Sequence, residues 1–537
     1  MWSAIRALDL MCDPIYNTLG PAGHTAIIPG AYEGAPYVVS KDGYAIADTF
    51  APDAPMESAC WSIIHQSVTK QSEAGDGTSS TTLLTMSMLK FGGVATATGA
   101  VDMREVFNGL DKSLDLVLSS LDKKARSIST EKEIAQIASL SANSEIVGEK
   151  LAYCISQVGK DGVITIDEAK SSEPFSVNVV PGMSFDRGFM SPHFTTDEKG
   201  TKVILEDCYV LLIDKKVTTF QQYLPIFEEC ARKGSPLLLI AVDLDPEPLV
   251  WLTLNKVKVG LKVCSVKAPG FGDSRKDILE DIRIMTGAKY IFDDTSEISQ
   301  EEMTLDNLGR AKKIVVSKDM TVIVDGEGSD EDVKQRIKHI EALNEDTSSE
   351  YEQNKYKERI SKLSTGVATL SCGGATEAEM KELKYRTEDA LYAVKSALQG
   401  GVVPGGGVAL LNIIEELENL KVSGDENIGV SIMKYALQQP FHRIISNAGL
   451  SADLIKAGLV ERKDENIVYN VIKKGYADAY ESGVMDPVIL VKSALKLSVS
   501  VCKMILGSKN VIAKDKKKDS NESQNHMNPV MPGMGGF

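Results

Sequence analysis

The sequence lacks the features of several protein classes. It has eight cysteines but no C-x-x-C pair, and its six histidines form neither an H-E-x-x-H motif nor a cluster. We therefore expect reduced thiols in a cytosol-like compartment and no transition-metal site. No apolar run approaches the roughly 20 residues of a membrane-spanning helix, and the first residues do not have the layout of a signal peptide. These absences predict a cytoplasmic protein that does not associate with a membrane.

Basic charge is also scarce. The 537 residues include 59 Lys and Arg against 75 Asp and Glu, a formal net charge of -16. Nucleic acids attract a basic surface, so we expect no nucleic-acid partner. Apolar residues make up 43% and charged residues 25% of the chain, as in an ordinary globular protein. A chain of this length exceeds a single core, and about two to four domains are expected.

Apolar periodicity predicts helices at both ends of the chain and an α/β unit between them. The predicted terminal helices are 54–73, 79–92, 102–122, 378–399, 405–418, 427–447 and 486–506. The predicted central strands are 208–213, 237–242, 261–266 and 289–292, and the helices between them are 218–232, 246–258 and 275–286. Residues 330–362 are charged and predict a helical hairpin. The fold class is therefore multidomain, with an α/β insert of substantial sheet content enclosed by helical ends.

The most informative local pattern is Asp76-Gly77-Thr78-Ser79-Ser80, which precedes an apolar helical run. Glycine permits a tight turn, and the free N–H groups of a helix N-terminus bind phosphate oxygens. Asp76 is placed to hold Mg²⁺ beside them. A simple helix cap would give the same pattern, so both interpretations stay open here. No G-x-x-x-x-G-K-[ST] loop is present.

Further glycine-rich and acidic segments could complete a phosphate site. Glycines recur at 20–23 and 405–407, and acids at Asp42 and Asp389. Hydrolysis of a phosphoanhydride needs a metal on the phosphate oxygens and a carboxylate that orients water. Asp42, Asp76 and Asp389 would meet that need if they converged. Asp-Gly turns and exposed aspartates are commoner, however, and the residues alone do not show convergence.

In this order the segments resemble the group I chaperonin family, the ring-forming folding machines of bacteria and organelles. The resemblance extends from about residue 4 to 506. Its motifs are Thr18-Leu19-Gly20-Pro21, Lys41-Asp42-Gly43, Ala74-Gly75-Asp76-Gly77-Thr78, Ser141-Ala142-Asn143-Ser144, Phe185-Asp186-Arg187-Gly188, Val266-Lys267-Ala268-Pro269-Gly270-Phe271-Gly272-Asp273, Glu388-Asp389-Ala390, Gly405-Gly406-Gly407-Val408-Ala409-Leu410 and Asp486-Pro487. Single matches would be chance, whereas eight or more in order are specific. The stretch 267–273 favours group I over the archaeal and eukaryotic cytosolic group.

The resemblance implies three domains. They are an equatorial ATP-binding domain of helical character (1–123 and 401–537, with a flexible tail over 506–537), a small intermediate domain (124–181 and 367–400) and an α/β apical substrate-binding domain (182–366). Gly182, Gly366 and Gly401 fall at the joints and would be hinges. From the residues alone, turn glycines are the alternative.

The resemblance also implies an ATPase site with Mg²⁺ and K⁺ as ions. The implied nucleotide-binding residues are Thr18, Leu19, Gly20, Pro21, Lys41, Asp76, Gly77, Thr78, Ser79, Ser80, Gly406, Asn470, Val471, Ile472 and Asp486. Asp76 would ligate Mg²⁺, and K⁺ would bind backbone oxygens near Lys41. Asp42 and Asp389 would be catalytic, because closure of the intermediate domain would bring Asp389 beside Asp42 to position water.

An apical groove for unfolded clients is implied as well. Its residues would be Phe189, His193, Phe194, Leu224, Phe227, Leu249, Thr253 and Leu254. His193 and Thr253 stand where apolar residues are common in the family, which predicts a more polar groove. Phe220, Tyr223, Leu224 and Phe227 share one face of the predicted helix, and packing of that face on the sheet is the alternative.

The expected function is that of an ATP-dependent chaperonin subunit that captures non-native proteins and promotes their folding inside a ring cavity. Implied partners are unfolded proteins, a co-chaperonin and identical subunits in a sevenfold ring. Two rival hypotheses remain. One is a binding or structural protein of the same fold with little ATP turnover, and the other is an unrelated nucleotide-dependent enzyme.

Overall fold

The computed structural model describes residues 2–30, 37–97, 101–160, 162–169, 175–197, 200–293, 304–347, 349–364, 366–508 and 510–512. The chain forms two compact units, Met1–Gly148 with Glu388–Phe537, and Glu149–Thr387. The second unit is thus an insert in the sequence of the first, as the nested arrangement predicts. The division into three domains stays a prediction. Most of the predicted flexible tail, 513–537, lies outside the described residues.

The first unit is mainly helical. Its helices are α1 (Trp2–Met11), α2 (Asp13–Asn17), α3 (Gly43–Asp48), α4 (Pro55–Ala74), α5 (Thr78–Thr96), α6 (Met103–Lys124), α7 (Glu131–Ala142), α15 (Val408–Glu418), α16 (Glu426–Asn447), α17 (Ala452–Arg462), α18 (Ala479–Ser482) and α19 (Val488–Gly507). Its antiparallel strand pairs are β1 (Ala26–Ile28) with β2 (Val38–Ser40), β12 (Val402–Pro404) with β15 (Met485–Pro487), and β13 (Ile467–Asn470) with β14 (Gly475–Asp478). Helices α8 (Glu145–Val158) and α14 (Glu377–Gly400) each contain a boundary between the units.

Helix α5 lies at the centre of this helical core. All of its residues from Thr81 to Leu89 are buried, so its hydroxyls need internal partners. Thr85 Oγ1 donates to Ser498 Oγ at 3.0 Å, and Ser498 Oγ donates to the carbonyl of Thr81 at 3.2 Å. These hydrogen bonds attach the buried middle of α5 to α19.

The second unit is built on a six-stranded sheet of order β5-β10-β9-β6-β7-β8. Its strands are β5 (Gly182–Phe185), β6 (Val203–Val217), β7 (Leu237–Leu244), β8 (Val263–Lys267), β9 (Gly309–Val316) and β10 (Thr321–Gly326). The helices are α9 (Leu224–Lys233), α10 (Pro246–Val259), α11 (Asp273–Thr286), α12 (Asp330–Asp346) and α13 (Glu350–Ser364). Strands β6, β7 and β8 run parallel, and β5, β10, β9 and β6 pair antiparallel. A second sheet has the order β3 (Val163–Glu168), β11 (Val367–Cys372) and β4 (Phe175–Val180).

The predicted elements are confirmed to within a few residues, with three corrections. No strand forms over 289–292, where Phe292 makes only an isolated bridge to Ile213. The helix predicted from 218 begins at Leu224, because Pro225 favours the first helical turn and a short 3₁₀ turn precedes it. Helix α15 begins at Val408, since Gly406 and Gly407 have φ of 65° and 78°.

The charged hairpin predicted over 330–362 is confirmed as α12 and α13. A buried carboxylate attaches both helices to α11. Asp281, 2% exposed, accepts from Arg336 Nε at 2.8 Å and from Arg359 Nε and Nη2 at 2.8 and 2.9 Å. Arg359 is itself buried, so each charge depends on the other for compensation.

We predict that Arg359→Leu destabilises this hairpin by about 3 kcal/mol, because it leaves Asp281 charged and only partly paired. Hydrogen exchange over 330–364 should accelerate accordingly. Lys362→Leu is the matched control, since its bond to Glu358 at 2.7 Å is more exposed and is expected to contribute about 0.5 kcal/mol or less. Equal exchange rates in the two variants would contradict the role given to Asp281.

Candidate functional site

Asp76 occupies a tight loop between α4 and α5. Gly75 follows the last residue of α4 with φ of 108°, and Gly77 precedes the first residue of α5 with φ of 89°, so both need the freedom of glycine. The Asp76 carboxylate accepts from Ser141 Oγ at 2.8 Å and from the N–H of Gly77. Burial raises the pKa of Asp76, these hydrogen bonds lower it in part, and the charge of Asp42 raises it. Ser141 belongs to a motif noted in the sequence, but only the structure places it on Asp76.

Asp486 lies on β15 and contacts the glycine segment that follows β12, residues 405–407. The N–H groups of Gly406 and Gly407 donate to its carboxylate. A Cβ atom on Gly405 would lie 3.0 Å from Asp486 Oδ1, which explains a glycine at that position. Burial raises the pKa of Asp486 to about 7, and the charge of Asp76 adds to this rise. Asp76 and Asp486 therefore share one buried acidic region.

Ser79, in the first turn of α5, is the point where two further predicted segments meet the loop. Thr18 Oγ1 lies 3.2 Å from Ser79 Oγ. A Cβ atom on Gly43 would lie 2.3 Å from the same oxygen, so the chain beside Asp42 packs against it. Asp42 itself caps α3 by accepting from the N–H groups of Tyr44 and Ala45 at 2.9 and 3.3 Å.

Asp389 lies on α14, in the part of that helix that belongs to the first unit. Three residues later, Tyr392 packs against the loop, because a Cβ atom on Gly75 would lie 2.1 Å from the Cβ of Tyr392. Residues three apart on a helix share a face. Asp389 therefore lies one helical turn along α14 from the residue that contacts Gly75. Tyr392 has no signal in the sequence beyond this spacing.

The predicted base-binding residues lie at the tip of the β13–β14 hairpin. Asn470 is buried, and its Oδ1 accepts from the N–H of Lys473 at 2.9 Å. Val471 packs in a cluster that includes Val484, and Val484 also approaches Gly406. Ile472 is exposed. The structure thus connects this hairpin to the glycine segment around Asp486.

The recess suits a magnesium-bound phosphate. The buried carboxylates favour a cation, the first turn of α5 presents N–H groups, and glycines leave room where a Cβ would intrude. No group of three or more His, Cys, Asp or Glu side chains able to hold a metal occurs among the described residues. An ion that takes several of its oxygens from water and phosphate is compatible with so few protein ligands.

The residues predicted for the client groove are placed differently from one another. His193 and Leu254 are exposed, and Phe189, Leu224, Leu249 and Thr253 are partly buried. Phe194 and Phe227 are buried, and their role as groove contacts stays a prediction. Phe227 packs in an aromatic cluster with Phe220 and Trp251, with ring centroids 4.9 and 5.4 Å away. Aromatic packing of this kind favours the core over the surface.

Helix α10 presents an exposed apolar face that the sequence reasoning found only in part. Val250, Leu254 and Val257 lie at i, i+4 and i+7 and are 55%, 46% and 71% exposed. Thr253 is less polar than expected, because its hydroxyl donates to the carbonyl of Leu249 at 2.8 Å. Val250 and Val257 are not among the predicted groove residues, although their helical spacing from Leu254 indicates that the three share one face.

The predicted hinge glycines occupy positions that disfavour a side chain. Gly366 and Gly401 have φ of 58° and 76°. A Cβ atom on Gly182 would lie 2.5 Å from the carbonyl oxygen of Ile323. Their role as hinges stays a prediction.

Within the described part of the chain, no helix is long and apolar enough to cross a membrane.

Comparison with known proteins assigns the chain to a class and a family. A helical unit with an acidic, glycine-lined recess and an inserted α/β unit defines a chaperonin-type protein. The chain belongs to the TCP-1/cpn60 chaperonin family, whose model matches residues 13–516. The predicted group I membership is confirmed by this match together with the relatives.

Three relatives, each named chaperonin GroEL, illustrate the similarity. The protein of Wolbachia sp. subsp. Brugia malayi is 41% identical over 99% of this chain and 98% of its own length. Those of Ehrlichia chaffeensis and Neorickettsia sennetsu are 43% and 40% identical, over 96% and 99% of this chain and 94% and 97% of theirs. The similarity therefore covers both units.

The raised pKa of Asp486 predicts a pH-dependent stability of the ligand-free protein. Its folded value of about 7 exceeds the ordinary value of 3.8, so the folded state binds more protons between these values. Stability should fall as pH rises from about 4 to about 7 and then level off. Asp486→Asn removes this dependence, and its melting temperature should exceed that of the wild type increasingly from about pH 4 to about pH 7.

Asp464→Asn is a suitable control, since Asp464 is an exposed carboxylate. A constant difference in melting temperature between wild type and Asp486→Asn across this range would show that Asp486 is ionised in the folded protein.

Proposed function

We propose that this chain is an ATP-dependent chaperonin subunit that captures non-native proteins and promotes their folding inside a ring. The ring would consist of seven identical subunits. The observation that carries the proposal is the meeting of the Asp76 loop, the Asp42 segment and the Asp486 strand at one buried, glycine-lined recess. Membership of the chaperonin family supports it. A co-chaperonin and a cytoplasmic location belong to the same proposal.

The residues of the recess divide the work of nucleotide binding. The N–H groups and hydroxyls of Thr78, Ser79 and Ser80 bind phosphate oxygens at the positive end of α5. Asp76 would hold Mg²⁺, and the ion would supply positive charge to the phosphate oxygens. Asn470 contributes to the contact with base and ribose. Thr18-Leu19-Gly20-Pro21, Lys41 with a K⁺ ion at nearby backbone oxygens, Gly77, Gly406, Val471, Ile472 and Asp486 complete the proposed site.

Hydrolysis requires a carboxylate that orients water on the terminal phosphate. We assign this role to Asp389, with Asp42 beside it. The packing of Tyr392 against Gly75 supports the assignment, because Tyr392 is one helical turn from Asp389. A displacement of about 1 Å can reduce a rate about 100-fold. Movement of the segment that carries Asp389 about Gly401 would therefore control turnover, and Gly182 and Gly366 would be the hinges of the apical domain.

The α10 face supports capture of unfolded chains. Exposed Val250, Leu254 and Val257 form an apolar strip on one helix, and Leu224, Leu249 and Phe189 are partly accessible. Burial of apolar surface contributes roughly 25 cal/mol per Å², so a few such side chains bind without sequence specificity. Non-native proteins expose the apolar segments that such a strip accepts.

The catalytic assignment predicts the behaviour of Asp389→Ala. Steady-state release of phosphate should fall at least about 100-fold, because water loses its orienting carboxylate, while ATP binding measured by calorimetry is retained. Glu388→Ala is the matched control, since this neighbouring acid projects from a different side of α14. Turnover equal to that of the wild type in Asp389→Ala would refute the assignment, and absence of turnover in the wild type would favour a binding protein of the same fold.

The capture surface predicts the behaviour of Leu254→Glu. Loss of one buried leucine contact should weaken binding of a denatured, fluorescently labelled protein about tenfold, since the carboxylate resists burial. Lys258→Ser alters an exposed polar residue of the same helix and should bind like the wild type. Rings counted by negative-stain microscopy serve as the assembly control. If both variants bind alike, the α10 face is not the capture surface.

A further inference from the structure

Gln71 is a fully buried polar side chain in the last turn of α4, five residues before Asp76. Gln71 is not among the predicted site residues. Its Nε2 donates to the carbonyl oxygen of Asp76 at 2.6 Å. The backbone carbonyl oxygen of Gln71 accepts from the N–H of Gly75 at 3.2 Å. One residue thus holds the loop through both its backbone and its side chain.

The orientation of the Gln71 amide follows from its contacts. Nε2 faces two carbonyl oxygens, that of Asp76 and, at 3.5 Å, that of Leu490. Carbonyl oxygens only accept hydrogen bonds, so the NH₂ group must point to them. Gln71 Oε1 therefore points the other way, where it is buried and has no hydrogen-bond partner among the described residues.

The unpartnered oxygen argues against a purely structural role. A buried amide that leaves one atom unsatisfied costs stability. A methionine of similar length would remove the unsatisfied oxygen, but it would also leave the carbonyl oxygen of Asp76 without its Nε2 donor. What glutamine adds at this position is therefore the Nε2 group, which holds the peptide that links Asp76 to Gly77.

That peptide determines the direction of two groups in the recess. Gly77, which directly precedes α5, has φ of 89°, and a Cβ atom on it would lie 3.1 Å from Gln71 Nε2. Rotation of the Asp76-Gly77 peptide would turn both the Asp76 carboxylate and the N–H of Gly77. Leu490 lies in the first turn of α19, four residues after Asp486, so the same amide also reaches the second acidic segment.

We propose that Gln71 is a positioning residue for the magnesium-bound nucleotide. It acts through the Asp76-Gly77 peptide and touches neither the metal nor the phosphate. This inference rests on the proposed function, because it concerns the ion and nucleotide assigned to the recess. Partners of this kind, which orient a metal ligand from behind, commonly change metal affinity about 10- to 100-fold when they are removed.

The test compares the full-length wild type with Gln71→Met by titration calorimetry, using ADP with Mg²⁺ and ADP with a chelator. We expect Gln71→Met to weaken Mg²⁺-dependent binding about tenfold and to leave Mg²⁺-free binding of ADP unchanged. Added Mg²⁺ should restore the affinity by mass action. Gln71→Glu should bind Mg·ADP more weakly still, since its acceptor oxygens face the carbonyl of Asp76.

Thr85→Val is the matched control, because it removes a buried hydrogen bond between α5 and α19 without touching the loop. Its melting temperature should fall while its affinity for Mg·ADP stays that of the wild type. Equal Mg·ADP affinity in the wild type and Gln71→Met would overturn the inference, as would an equal loss with and without Mg²⁺. Failure of the wild type to bind Mg·ADP would overturn the proposed function itself.

Discussion

The burial of acidic charge at Asp76 and Asp486 is the constraint on which the rest of the site depends. Burial raises the pKa of both carboxyl groups, and the charge of Asp76 raises that of Asp486 further. A fold keeps such a pair only where donors compensate it, and here the donors are N–H groups of glycine segments and the hydroxyl of Ser141. A bound cation would relieve the remaining repulsion, so the apo fold is already biased towards a metal-bound phosphate.

Close backbone approach is the price of this arrangement, and glycine makes it feasible. The segments around Asp42 and Asp76 touch where Gly43 meets Ser79, and α14 reaches the loop where Gly75 meets Tyr392. At both positions a Cβ atom would overlap its neighbour. Positive φ angles at Gly75 and Gly77 add a second reason for glycine. The glycines are therefore required by packing as well as by the turn.

Sequence reasoning predicted the long helices, the inserted α/β unit and the order of the motifs, because helical periodicity and motif order are local properties. It did not predict that Phe227 would turn towards Phe220 and Trp251, since an apolar stripe looks the same whether it faces a sheet or solvent. It also missed Gln71, which carries no motif. A side chain that orients a peptide can be recognised only from the three-dimensional structure of the loop that it contacts.

The contact between Gly75 and Tyr392 differs in kind from the hydrogen bonds that hold Asp76. Ser141 and Gly77 compensate a buried carboxylate, so breaking those bonds leaves charge unsatisfied and is costly. At Gly75 the side chain of Tyr392 packs directly on the backbone of the loop, where a Cβ atom would overlap it. Asp76 is thus held by hydrogen bonds to its charge, whereas α14 meets the same loop by close packing. Under the proposed function this difference matters, because the acid that would hold the metal and the helix that carries Asp389 would meet one loop through different interactions.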